Sequence, residues 1–222
     1  MDKRSVQLVF ARFEKYDHSY RHVLNSDERD RADRLRFDRD REFFTFCRAQ
    51  LRLLLGSYQG VKPADLRFRY GPMGKPYIEE GPVFNASHSG EWFALAITGS
   101  GAEIGVDIEH IHPLDDMLSM ARHFFAPAEV ECLLAIPESE RTRAFFECWT
   151  RKEAVIKATG EGVSRPLDSF EVAFGSGTTP ALLRLDARRD PQWMMASFDR
   201  VPDYVAALAS PAPWDELTVT FA

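Results

Sequence analysis

The segment that most limits how this chain folds is Ile104-Gly105-Val106-Asp107-Ile108-Glu109, because it joins strict apolar alternation to two carboxylates. Period two sends Ile104, Val106 and Ile108 to one face and Gly105, Asp107 and Glu109 to the other, which predicts a strand. At a rise of roughly 3.3 Å per residue, the backbones of Asp107 and Glu109 lie about 7 Å apart. Two flexible carboxylates can close that span around a magnesium ion, which prefers a few carboxylates together with substrate phosphate oxygens. About forty residues later comes Trp149-Thr150-Arg151-Lys152-Glu153-Ala154-Val155-Ile156-Lys157. Phe145, Trp149, Glu153 and Lys157 recur every four residues on one face of a predicted helix, and Gly160 is a natural place for it to stop. Together the two segments supply three carboxylates and a lysine for one cation and one phosphate.

Each piece also has an ordinary reading. An alternating strand with Asp and Glu outward is usually half exposed, and Glu153 with Lys157 makes an i,i+4 surface pair worth only about 0.3 to 0.5 kcal/mol. A third element shifts the balance: Asn85-Ala86-Ser87-His88-Ser89-Gly90, directly before the apolar strand Trp92 to Thr98. A lone histidine is more often structural than a ligand contact. Here it lies in a run of small polar residues at a strand entrance, where hydroxyls and backbone N–H groups are free to meet an anion.

In this order, these three elements resemble the signature motifs of the 4′-phosphopantetheinyl transferases of the surfactin-synthetase-activating type. Gly74-Lys75-Pro76 agrees as a fourth, weaker element, and the resemblance extends from about Asp27 to about Phe170. Departures are small: Ala86 replaces a bulkier aliphatic residue, and His110 follows Glu109 where a basic residue is common. The resemblance implies an α+β fold of two similar halves related by pseudo-twofold symmetry, with the active site in the cleft between them. The implied halves are residues 1–103, binding the adenosine and phosphates of coenzyme A, and residues 104–222, carrying the magnesium site and catalytic helix.

The implied reaction moves the phosphopantetheine arm of coenzyme A to a serine of an apo carrier protein and releases adenosine 3′,5′-bisphosphate. Phosphoryl transfer depends mainly on positioning and on stabilising charge over phosphate oxygens. Asp107, Glu109 and Glu153 are the expected magnesium ligands, with Asp107 also counted among the groups that bind the coenzyme. Lys157, one turn beyond Glu153, is expected to reach the pyrophosphate and share the catalytic role. Lys75, Ser87 and His88 are candidates for the adenosine 3′-phosphate and the pyrophosphate, and Arg31 and Arg48 for the adenosine phosphates, where arginine's planar fork suits phosphate oxygens. Glu153 is the best candidate to accept the serine proton, although metal ligand and free base are partly exclusive roles. Trp149, Phe145 and Phe146 read as core anchors. Two other classes stay in view: a hydrolase using the same carboxylates on a nucleotide, and a noncatalytic coenzyme-binding module.

Composition agrees. With 222 residues and 45% hydrophobic content, the chain has ample material for a core. No apolar run approaches the ~20 residues a bilayer span needs, and no secretion signal is evident, so a cytoplasmic protein is expected. Three cysteines, Cys47, Cys132 and Cys148, fit neither a disulfide framework nor a zinc site and are expected to be reduced core residues. The net charge of -6 argues against nucleic acid as a partner. Eight arginines between Arg29 and Arg52, interleaved with acids, read mostly as a charge-laced helix or helix pair. Two halves in one chain make a monomer sufficient. Along the chain, a helical part from about Asp27 to Tyr58 precedes strand-like Leu66 to Tyr70, the Trp92 strand and a Gly99-Ser100-Gly101 connection. A second helical part from about Pro113 to Thr159 breaks near Pro127 and Pro137. Five strand-like segments close the chain, from Phe170, Ala181, Trp193, Tyr204 and Leu217. Helices then strands, twice, suggest α+β.

Overall fold

A computed structural model describes residues 4–99, 101–185 and 193–222. The first half opens with strand β1 (Ser5–Arg12), followed by helices α1 (Tyr20–Val23), α2 (Ser26–Asp33) and α3 (Asp38–Gln59). The short strands β2 (Arg69–Tyr70) and β3 (Pro76–Tyr77) then form a small hairpin, and β4 (Val83–Ser89) and β5 (Trp92–Thr98) form a larger one. Helix α2 begins with a capping box: Asn25 Oδ1 accepts the Glu28 N–H and a Glu28 carboxylate oxygen accepts the Asn25 N–H. Helix α3 ends at Gly60, whose φ of 68° is the left-handed conformation that glycine adopts without strain.

The second half repeats this plan. Strand β6 (Gly105–His110) leads to helices α4 (Met117–Phe124), α5 (Pro127–Ala135) and α6 (Glu138–Thr159). Strands β7 (Phe170–Val172) and β8 (Leu182–Leu185) pair, and β9 (Met194–Phe198) and β10 (Tyr204–Ser210) form the second large hairpin. The two main sheets have matching antiparallel orders, β4-β5-β1 and β9-β10-β6. Helices α3 and α6 both have 22 residues and both end at a left-handed glycine. The fold is α+β with two similar halves, and the breaks expected at Pro127 and Pro137 fall between α4, α5 and α6.

Alternation along β5 and β10 explains the layering. Phe93, Leu95 and Ile97 pack under α3, while Ala94 and Ala96 face a shared core containing Val6, Leu8, Val106, Ile108 and Leu208. In the same way Val205, Ala207 and Ala209 face α6, and Ala206 and Leu208 face the shared core. Both strands are buried on both sides except at their first residue, as central strands between a helix and a second sheet must be. The final strand, β11 (Glu216–Phe221), leaves the second half and lies parallel to β1 on the outer edge of the first sheet. It crosses the expected division after residue 103.

Each half also contains the same buried charge station. In the first, the wholly buried Arg52 donates from Nε to Glu28 Oε2 at 2.6 Å, and its Nη1 reaches the carbonyls of Pro63 and Leu66 at 2.9 and 3.2 Å. In the second, the wholly buried Lys152 donates to Glu129 Oε2 at 2.6 Å and to the carbonyls of Leu167 and Phe170 at 2.8 and 2.6 Å. Glu28 and Glu129 both occupy the first turn of a short helix and accept a backbone N–H at its start. A phenylalanine ring lies against each cation, Phe68 at 5.1 Å from the Arg52 guanidinium and Phe170 at 4.4 Å from the Lys152 ammonium.

This station accounts for one departure from the sequence expectation. The strand expected over Leu66 to Tyr70 shrinks to Arg69–Tyr70, because the Pro63 and Leu66 carbonyls turn inward to Arg52 and are unavailable to a ladder. Cys47 and Cys148 are buried as expected, but Cys132 is exposed on α5. Of the Gly99-Ser100-Gly101 connection, Ser100 lies outside the described residues. Among the described residues no helix is long and apolar enough to cross a membrane.

Burial pushes the Glu28 carboxyl up, but the hydrogen bonds and charges of Arg52 and Arg48 outweigh it, and the group titrates below the usual glutamate range. A carboxyl depressed in the folded state stabilises fully above its unfolded pKa of about 4.3 and loses that contribution as pH falls through the folded value. We therefore expect Glu28→Ala, which strands the Arg52 charge in the core, to cost on the order of 3 to 5 kcal/mol in urea unfolding at pH 7. The deficit should shrink below about pH 4. A variant as stable as wild type at neutral pH would show that the station does not hold α2 to α3.

Candidate active site between two strands and a helix

The site forms where β4 lies beside β6. The two strands run in the same direction and are joined by side chains reaching across. Asn85 Oδ1 accepts the Val106 N–H at 2.8 Å, and Ser87 Oγ donates to Asp107 Oδ1 at 2.7 Å. Ser89 Oγ donates to Glu109 Oε2 at 2.8 Å and accepts the His110 N–H at 3.1 Å. Alternate residues of β4 thus face β6. The segment from Asn85 to Ser89, expected to be a polar strand entrance, is itself a strand. That alternation separates Ser87 from His88, which is exposed with its ring 5.4 Å from Phe43 of α3.

Helix α6 approaches β6 at Gly105. A Cβ on that residue would stand 2.0 Å from the Ala154 carbonyl oxygen and 2.4 Å from the Ala158 nitrogen, so only glycine permits this contact. Lys157 Nζ lies 2.6 Å from Asp107 Oδ1 and 2.8 Å from Ser87 Oγ. The surface pair between Glu153 and Lys157 does not form, because Lys157 turns to Asp107. Among the described residues the Glu153 side chain makes no hydrogen bond or ion pair.

The carboxylates divide as β6 alternation requires, but their face is covered as well: Asp107 is only 3% exposed. Among the described residues its Oδ2, which is buried, has no hydrogen-bond partner. Burial, then the charge of Asp107, pushes the Glu109 carboxyl up to about 6. The same two causes raise the Glu153 carboxyl, against the opposing pull of Lys157. Among the described residues no three His, Cys, Asp or Glu side chains are gathered as a ready-made metal cage. Asp107, Glu109 and Glu153 are near enough to repel one another, with Asp107 Oδ1 engaged by Lys157.

A cleft of about 720 Å³ opens beside this cluster. Glu153 and Lys157 form one wall, Lys75 and Ala86 another, and the loop carrying Pro166, Leu167 and Asp168 a third. Lys75 Nζ donates to the Lys157 carbonyl oxygen at 2.9 Å and to Glu103 at 3.0 Å, fastening the β2-β3 hairpin to the C-terminal end of α6. Trp149 is only half buried. It joins the core rings of Phe124 and Phe145, at 5.6 and 5.9 Å, and also lines the cleft.

The two arginines expected near the adenosine phosphates do not line this cleft. Arg31 is exposed, 5.3 Å over the Phe44 ring. Arg48 is drawn to Glu28, with Nε 2.9 Å from Oε1, and to the Tyr70 hydroxyl at 3.3 Å. Sequence reasoning missed Glu28 and Glu129, and it placed Lys152 within a motif without giving it a role. The available signal was spacing: Glu28 and Glu129, Arg52 and Lys152, and Gly60 and Gly160 recur at a separation of about one hundred residues.

With this geometry in place, comparison with known proteins is direct. The pattern of the 4′-phosphopantetheinyl transferase superfamily matches residues 103–209. The 4′-phosphopantetheinyl transferase HetI of Nostoc sp. is 40% identical over 194 residues, covering 84% of this chain and 78% of that protein. The 4′-phosphopantetheinyl transferase psf-1 of Bacillus pumilus is 32% identical over 192 residues, covering 86% of this chain and 80% of its own. Among solved structures, the Chronobacterium ammoniagenes ACPS-CoA complex covers 50% of this chain and 96% of its own, at 21% identity and a TM-score of 0.37. Shared identity across most of both sequences makes this chain a member of the 4′-phosphopantetheinyl transferase family.

Gly105→Ala tests the close approach that assembles the site. A methyl group forced against the α6 backbone should lower stability by about 1 to 3 kcal/mol or more, measured by chemical denaturation. Unchanged stability would mean that β6 and α6 do not approach as closely as described.

Proposed function

We propose that this chain transfers the 4′-phosphopantetheine arm of coenzyme A to the serine hydroxyl of an apo carrier protein, releasing adenosine 3′,5′-bisphosphate. The observation that carries the proposal is the meeting of β4, β6 and α6, which sets Lys157 and Glu153 in the wall of one cleft with the buried Asp107 carboxylate held by the Lys157 ammonium behind them. An all-oxygen donor set suits a hard cation such as magnesium. The unpartnered Asp107 Oδ2, together with the burial and the Asp107 charge that raise Glu109 and Glu153, fits a positive ion at that place. Asp107, Glu109 and Glu153 would hold it, and it would supply charge stabilisation to the pyrophosphate.

The chain's own groups account for the remaining steps. Lys157 offers the pyrophosphate an ammonium from the cleft wall, and Lys75 stands beside it. Glu153 lines the cleft and, in its second and partly exclusive role, accepts the carrier serine proton as the serine oxygen bonds to phosphorus and the bond to adenosine bisphosphate breaks. Lys75 and His88 are assigned to the coenzyme's 3′-phosphate, with Ser87 holding Asp107 and Lys157 in place. Arg31 remains available to the adenosine end. Arg48, already paired with Glu28, serves there only through whatever charge that pair leaves over. On this reading residues 1–103 bind most of the coenzyme and residues 104–222 supply the reacting groups. The reaction is assigned to the cytoplasm and to a monomer, since one chain supplies both sides of the cleft.

Incubation with coenzyme A, magnesium and a panel of apo carriers should add the mass of the arm to at least one carrier, and removing divalent ions with a chelator should stop the transfer. Glu153→Gln should lower kcat by a factor of about 10² to 10⁴ with little change in KM for coenzyme A. Lys157→Ala should instead raise KM and lower kcat together, because the pyrophosphate is charged in both ground and transition states. Full activity per folded molecule in both variants would return Glu153 and Lys157 to the role of ordinary helix-surface residues.

Wild type should also prefer coenzyme A to dephospho-coenzyme A. Lys75→Ala combined with His88→Ala should remove most of a preference worth roughly 1.5 to 3 kcal/mol per charge-assisted contact, measured by calorimetry. Undiminished discrimination would move the 3′-phosphate to Arg31.

A further inference from the structure

Asp107 already has a cation bound to it, and that cation belongs to the protein. The Lys157 ammonium lies 2.6 Å from Asp107 Oδ1, while Oδ2 of the same carboxylate is buried and unpartnered. Ser87 closes the triangle, donating to Asp107 Oδ1 and accepting from Lys157 Nζ. The two partners differ in freedom. The Asp107 side chain is 4% exposed and fixed on a buried strand, whereas the Lys157 side chain is 27% exposed at the cleft wall. Lysine is a compact charge on a flexible stem and can turn from one anion to another without rebuilding a fork of hydrogen bonds. Counting Asp107, Glu109, Glu153 and Lys157 as charged, the cluster keeps two negative charges in excess, so it attracts a divalent ion while one of its oxygens is held.

We infer that Lys157 is a tethered counter-cation that competes with the divalent ion for Asp107, so that the lysine weakens binding of the ion alone and favours binding of the ion together with the coenzyme. This rests on the metal assignment proposed above. When the coenzyme's pyrophosphate is present, the ammonium has an anion of its own, Asp107 is released, and ion and coenzyme strengthen one another's binding. Such coupling is reciprocal, and its usual size is between 5-fold and 150-fold. The consequence is an order of assembly: the empty site resists the free ion and accepts it with the coenzyme.

The test uses manganese as the probe, with free ion measured by electron paramagnetic resonance in wild type, Lys157→Met and Lys157→Gln. Without coenzyme, both variants should bind Mn²⁺ roughly tenfold tighter than wild type. Mn²⁺ should also raise their melting temperature more than it raises that of wild type, which confirms in the same samples that the variants are folded. Saturating coenzyme A should tighten Mn²⁺ binding to wild type by a larger factor than in either variant. Variants that bind Mn²⁺ alone no tighter than wild type overturn the inference and leave the metal assignment intact. Tighter binding by Lys157→Met but not by Lys157→Gln also overturns it, since both remove the charge. If wild type takes up no Mn²⁺ even with saturating coenzyme A, the metal assignment falls and the inference falls with it.

Discussion

A buried cation held by a glutamate and two loop carbonyls, built once in each half, fixes the positions on which the rest of the molecule depends. Arg52 ties α3 to α2 and to the chain that follows α3, and Lys152 does the same for α6, α5 and the loop after α6. That second loop supplies Pro166, Leu167 and Asp168 to the cleft. A charge with no access to water needs partners in fixed places, and the glutamate and the two carbonyls limit how the long helix can turn. The two glutamates are set differently. Burial raises both, but two arginines bring the Glu28 carboxyl below its usual range, whereas Glu129 stays above its own in spite of Lys152.

Once α6 is oriented, Gly105 sets the distance. Because β6 and α6 touch through backbone at Ala154 and Ala158, Lys157, which lies between them on the helix, can reach Asp107 directly. The polar ladder from Asn85, Ser87 and Ser89 performs the corresponding task on the other side, holding β4 to β6 through side chains. Asp107 therefore stands at a point approached from both halves and from the long helix. Its unpartnered oxygen is the one place in the cluster where the folded protein leaves a buried acceptor to an outside group.

Much of this was legible in the sequence for identifiable reasons. Period two in Ile104 to Glu109 and a four-residue recurrence from Phe145 to Lys157 are strong local signals, and Gly160 and the prolines at 127 and 137 mark ends that backbone sterics enforce. The strand from Val83 to Ser89 was hidden because its second part, Asn85 to Ser89, is a run of small polar residues with little β-propensity of their own, although its backbone pairs with β5 across a short turn. Arg48 suggested a phosphate contact because its counter-charge, Glu28, lies on a different helix, and no local pattern joins them. Lys152 sits between Arg151 and Glu153 in a motif rich in functional groups, and only its complete burial separates structural duty from chemistry. The internal repeat escaped because it conserves roles at a spacing, with arginine in one half and lysine in the other, more than it conserves letters.

The last strand has a consequence for how this molecule could have been assembled or can be taken apart. β11 belongs by sequence to the second half but completes the first sheet, with Phe221 stacked on Phe10 at 5.5 Å and the Ala222 N–H bonded to the Phe10 carbonyl. A single cut between the halves would send β11 away with the wrong piece and leave β1 as a bare sheet edge, its backbone ready to template unwanted pairing. Two units of similar plan are thus locked by an exchanged strand, like a clasp fastened across a hinge. A protein of this kind could arise by duplication and fusion, yet could no longer revert to separate halves.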